Sequence, residues 1–290
     1  MGKSAHRPKE KVRALKENQQ LFGWPTARAI PLDGDRPLDR DLTWIRERGF
    51  TGVEICPSWR TLDWANKAEL ETWTRRFERA GLHVHSLHAD FEGGDFTSVE
   101  TQDRVRSFSR HKRAVEVLRD LGGYLYVVDL DLSQEAPSSR LSKPWLVRAV
   151  RGLNRLIAKC GTGGVHLVVR MRVPEEGDRW DMVEWILERL PTNDVGLSMD
   201  LDADGSPPRL LDVMERRRLH LRRLEVDESS NGNPAWMHPY QLRLDDLLQR
   251  STHEGLFIIK SPLQEQADAQ SFALPACASK GAKEEKGLES

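Results

Sequence analysis

A single (β/α)8 barrel, the TIM barrel architecture, is the fold class this sequence predicts, and three observations predict it. Eight short apolar runs recur along the chain, and amphipathic segments of helical period separate them. The length of 290 residues with 38% hydrophobic content also suits one barrel of roughly 250 residues. Strand-like runs alternating with helix-like segments are the pattern of repeated βα units and a parallel sheet. No GxGxxG or Walker-type glycine loop follows any run, which places the closed barrel ahead of an open nucleotide-binding sheet.

The runs are LFGWPT (21–26), GVEIC (52–56), VHSLHA (84–89), YLYVVDL (124–130), VHLVVRM (165–171), VGLSMD (195–200), LRRLEVD (221–227) and LFIIK (256–260). Several follow Gly or Asn, the residues that stop helices. Segments 38–48, 67–80, 100–121, 144–160, 177–190 and 207–217 carry apolar residues at spacings of three and four. In the third of these, Val105, Phe108, Val115 and Leu118 form one stripe. Ser142 and Pro144 mark a helix start, as cap and first-turn proline. Residues 1–18 are nearly all polar and 264–290 lack sustained apolar periodicity, so both are expected to be disordered tails around a barrel over 19–263.

With 44 basic and 45 acidic residues the net charge is −1, so no overall field recruits nucleic acid or an anionic membrane. The basic cluster Arg216, Arg217, Arg218, Arg222 and Arg223 reads as a solvated helix end and strand entry at the lower face of the barrel. No apolar run approaches the ~20 residues that span a bilayer. The three cysteines, Cys56, Cys160 and Cys277, have no paired or metal-ligand spacing, and a cytoplasmic location is expected.

The segments DLTWIRERGFTGVEI, RAGLHVHSLHAD, HKRAVEVLRDLGGYLYVV, AVRGLNRLIAKCGTGGVHLVV and VGLSMDLDADG resemble, in order and spacing over about residues 38–262, the xylose isomerase-like TIM barrels. That superfamily contains sugar phosphate isomerases and epimerases and endonuclease IV. The resemblance implies a divalent metal at the C-terminal mouth, held by a Glu ending strand five, an Asp ending strand six, a His on strand seven and a Glu ending strand eight. Here those positions fall on Arg170, Asp200, Leu224 and Lys260, so one ligand of four is retained. The endonuclease branch implies further ligands where this chain has Ala203 and Trp236. His88 and His238 match, but with Asp200 they are too few for a three-zinc site.

A guanidinium at the end of strand five is unusual for such a mouth. Arg170 and Lys260 put fixed positive charge opposite Asp200, so the mouth is expected to balance its charge without a metal cofactor. Two readings follow. In one the barrel is non-catalytic, or binds a ligand, with its metal site lost. In the other it is an active isomerase or epimerase on a sugar phosphate or sugar acid. Arg170, Arg172, Lys260 and His238 then bind a small sugar-like or anionic ligand, and His88, Glu54, Asp200 and Asp227 serve as acid, base or positioning groups. Asp129 and Asp131 are expected to divide, with only one facing the interior.

Overall fold

The computed structural model describes residues 25–32, 38–57, 66–89, 96–132, 143–172, 180–191, 194–200, 206–217, 219–227 and 256–260. Eight parallel strands close into a barrel in sequence order: β1 (Thr26–Leu32), β2 (Gly52–Pro57), β3 (His83–Ala89), β4 (Leu125–Asp131), β5 (His166–Arg172), β6 (Val195–Asp200), β7 (His220–Asp227) and β8 (Leu256–Lys260). Six described helices alternate with them: α1 (Leu38–Glu47), α2 (Lys67–Ala80), α3 (Thr101–Asp120), α4 (Lys143–Gly161), α5 (Trp180–Leu187) and α6 (Ser206–Arg217). The barrel belongs to a compact unit over Met1–Lys260. A second unit, Ser261–Ser290, lies outside the described residues, as do the two expected tails.

Local chemistry explains the elements. At the start of α2 the Asn66 side chain accepts from the backbone of Ala68 and Glu69. The helix stops at Gly81, whose φ of 64° suits glycine, and it buries Leu70, Trp73 and Phe77 at spacings of three and four. Pro144 sits in the first turn of α4, where its missing N–H costs nothing. On α3, Val115 and Leu118 are buried as expected, but Val105 is 56% exposed and lies off the packed stripe.

The first strand differs from expectation, running over Thr26–Leu32 rather than 21–26. Its pattern is disguised by Arg28, which is 1% exposed with its guanidinium 5.2 Å from the Trp44 ring centre of α1. A buried arginine covered by an aromatic ring reads as polar in sequence and packs as part of the core.

Register fixes which side chains enter the barrel. Ala27, Leu125, Val127, Val168, Leu256 and Ile258 form one buried cluster, separate from the larger core between sheet and helices. They form an apolar floor. Two residues further along the strands the same faces carry charge: Asp129 stands opposite Arg170, and Asp131 opposite Arg172. Asp129 and Asp131 therefore share a face, contrary to the expectation that they divide, because residues two apart on a strand point the same way. Two register shifts, at Val53/Glu54 between β2 and β3 and at Leu197/Ser198 between β6 and β7, re-aim the residues above them.

Candidate functional site

Above the apolar floor the interior is a network of charged groups contributed by β2 to β7. Arg223 is fully buried and is its most enclosed cation. It donates through Nε to Glu54 Oε2 (2.9 Å), through Nη2 to Glu54 Oε1 (2.7 Å) and through Nη1 to Ser198 Oγ (2.7 Å), and it pairs with Glu225. The two-pronged contact is the strong form of an arginine–carboxylate pair. Burial alone would raise the Glu54 pKa and lower that of Arg223. The attraction between them prevails, holding Glu54 below its usual range and Arg223 above its own. Ser86 also donates to Glu54 Oε2, at 2.8 Å.

Arg170 is the second interior cation. Its Nη2 donates to Asp200 Oδ2 (2.8 Å) and to Glu225 Oε1 (3.3 Å), and its Nη1 lies 3.7 Å from Asp129 Oδ2. Arg172, 44% exposed, pairs with Asp129 nearer the rim. His88 and Asp129 are joined at 2.8 Å between Nε2 and Oδ1. Burial would raise the Asp129 pKa, but the His88 bond and the Arg170 and Arg172 charges hold it well below the carboxylate range. An ionised carboxylate only accepts, so the proton of this pair sits on His88 Nε2.

The sequence-derived residues thus separate into three groups. Glu54, His88, Arg170, Arg172 and Asp200 share one connected network. Lys260 stands opposite Asp227 in the ladder between β8 and β7, though their side chains are not described. His238 lies outside the described residues.

Arg223, Glu225, Ser86, Ser198 and Cys56 are members that motif matching does not find. Arg222 and Arg223 were expected at a solvated strand entry, yet Arg223 is fully buried, because the Leu197/Ser198 register shift turns it inward opposite Ser198. For the same reason the inward positions of β7 at this height are Arg223 and Glu225. Cys56 has an available signal: it lies two residues beyond Glu54 on one strand and therefore on the same face. It joins Glu54 and His88 in a group whose donor atoms all lie within 4.8 Å of one another, close enough for one metal ion.

A closed parallel barrel carrying its interior charges at the carboxyl ends of its strands defines the class of TIM barrel proteins with a C-terminal-face site. Residues 42–202 match the family model of the xylose isomerase-like TIM barrels, and the chain belongs to that family. Among solved structures it is similar to L-ribulose 3-epimerase, at 16% identity over 88% of this chain and 86% of that one, with a TM-score of 0.60. It is also similar to 3-keto-D-glucoside 4-epimerase from E. coli, at 16% identity over 85% and 95%, with a TM-score of 0.59. A third is D-psicose 3-epimerase in the presence of D-fructose, at 15% identity over 82% and 85%, with a TM-score of 0.58. At these identities the likeness is one of fold. No curated protein matches the sequence. No described helix is long and apolar enough to cross a membrane.

Proposed function

We propose that this chain is a sugar-binding barrel of the epimerase type in which a guanidinium takes the place of the family's hard divalent cation, and that it lacks metal-dependent isomerase chemistry at that position. One observation carries the reading: Arg170 enters the end of β5 with its guanidinium among Asp129, Asp200 and Glu225. Two of its contacts share one nitrogen, so the carboxylates converge on it much as ligands converge on an ion. A second cation there would meet Coulomb repulsion inside a partly dry cavity, where such terms are poorly screened. Arg170 is held charged, since against the burial that would lower its pKa the attraction of Glu225, Asp129 and Asp200 raises it. The residues present therefore do not fit a hard metal at this position.

The competing reading, an active isomerase in which Arg170 and Lys260 bind a sugar phosphate or sugar acid, would require Arg170 to exchange these carboxylates for ligand oxygens. Its engagement with three acids disfavours that. A ligand of many hydroxyl groups suits the mouth better than an anion, because both donors and acceptors line it. The support from relatives is that solved structures of the same fold are sugar epimerases, one of them determined in the presence of D-fructose.

Thermal shift and turnover assays with D-fructose, D-psicose and their phosphates, each with and without Mn²⁺ or Mg²⁺, test the reading. Neutral ketoses are expected to raise the Tm equally with and without the hard cations, with no epimerisation. Mn²⁺-dependent turnover, or preferential stabilisation by the phosphates, would refute it.

A further inference from the structure

We propose that Glu54, Cys56 and His88 form a binding site for a thiophilic divalent cation of the zinc class, on the wall made by β2 and β3. The site uses ligands other than those around Arg170, although Asp129 joins the two, being hydrogen-bonded to His88 and 3.7 Å from Arg170. Glu54 and Cys56 are two apart on β2 and share its inward face. Ile55 stands opposite Leu87, so the next step along the two strands brings Cys56 level with His88.

Two hydrogen-bond patterns point into the space between the three side chains. His88 is 4% exposed, and its Nε2 is engaged by Asp129, leaving Nδ1 without a hydrogen bond among the described residues. That atom lies 3.9 Å from Glu54 Oε1, too far for a hydrogen bond and suitable for two donors of one ion after slight closure. A histidine held at one nitrogen by a carboxylate while the other presents its lone pair is the usual arrangement of a metal-bound imidazole and its outer partner.

Glu54 shows the complementary asymmetry. Oε2 accepts from both Arg223 Nε and Ser86 Oγ, whereas Oε1 accepts only from Arg223 Nη2 among the described residues, and Oε1 is the oxygen that faces His88. One lone pair of Oε1 thus remains on the side of the group.

A sulfur, nitrogen and oxygen set within 4.8 Å suits zinc-class ions, which take such ligands tetrahedrally, and does not suit Mg²⁺ or Mn²⁺. Three protein donors leave one position open for water or a ligand oxygen. Cys56 is only partly buried.

Co²⁺, which reports zinc-type sites in the visible and near ultraviolet, tests this on the full-length protein. The expected result is a thiolate-to-cobalt charge-transfer band saturating at one equivalent and removed by Zn²⁺. It should disappear in Cys56→Ala, persist in the Cys160→Ala/Cys277→Ala double variant, and need at least tenfold more Co²⁺ in His88→Ala. A measurement on the unaltered protein guards against misfolded variants: Zn²⁺ should slow alkylation of Cys56 by iodoacetamide, read by peptide mass spectrometry, and should raise the Tm. No band at one equivalent, a band that survives Cys56→Ala, or Cys56 alkylated equally fast with and without Zn²⁺ would overturn the proposal.

Discussion

Arg170 sits where removal of one side chain leaves three carboxylates facing one another. Breaking a buried pair from one side costs about 3–5 kcal/mol, and with Arg170 only 14% exposed the Arg170→Ala variant should lose stability of that order in urea unfolding. The deficit should narrow as the pH falls, since losing one of their cations raises the pKa values of these acids and protonation then relieves their mutual repulsion. A variant as stable as the parent would mean that Arg170 serves only a ligand. The double change Arg170→Glu with Lys260→Glu is expected to fold poorly alone and to recover in Mn²⁺, read as a metal-dependent Tm. The acid response of the parent protein begins with a histidine and continues with depressed carboxylates, Glu54 and Asp129 among them. Burial, and secondarily His83, lower the His85 pKa to about 4. Its folded value lies below its unfolded one, so stability falls as the pH drops from about 6.5 towards 4, by on the order of 2–3 kcal/mol. The depressed Asp129 contributes stability that is present above its unfolded value and is lost only below about pH 4. Acid titration of stability should therefore show two stages, and His85→Gln should flatten the first alone. At this scale the Arg170–Asp200 contact was legible from strand ends, because both residues close recognisable apolar runs. Arg223 was not, because its neighbours in sequence are also basic and only burial separates it from them.

Among the elements, the helices were the more legible, since a 3.6-residue period over ten or more residues leaves little ambiguity; α2 follows its expected span residue for residue. β7 was found but its facing was not. A strand read as strictly alternating assigns every inward position above the Leu197/Ser198 shift one residue wrong, and a bulge leaves no consistent mark in sequence. The other shift follows Gly52, where an added Cβ would come within 2.2 Å of the His83 carbonyl and 2.6 Å of the His85 ring. Backbone cannot yield there as a flexible side chain does. Gly52→Ala should cost about 1–3 kcal/mol by chemical denaturation, and should disturb Glu54 and Cys56 directly above it. Unchanged stability would mean that the β2–β3 register slips without penalty.

For the molecule as a whole, closure of the barrel rests on its shortest ladder. β4 and β5 pair over seven described positions, whereas β1 and β8 pair over three. Hydrogen exchange should therefore open the β8–β1 seam before the β4–β5 pair, and equal protection at both would contradict this. Barrel closure was legible from the count of eight runs, although the first of them was displaced by the polar disguise of Arg28. The interior has a further consequence for calorimetry. Its upper half holds Glu54, Asp129, Asp200 and Glu225 against Arg170, Arg172 and Arg223, where many barrels pack aliphatic layers. Hydrating apolar surface raises the heat capacity on unfolding, and hydrating polar surface lowers it. A barrel that hydrates this charged cluster on unfolding should thus unfold with a heat-capacity increment below the ~12–15 cal/mol/K per residue of ordinary domains. The resulting stability curve is flatter, and because it crosses zero at a shallower slope a given change in stability moves the thermal midpoint further.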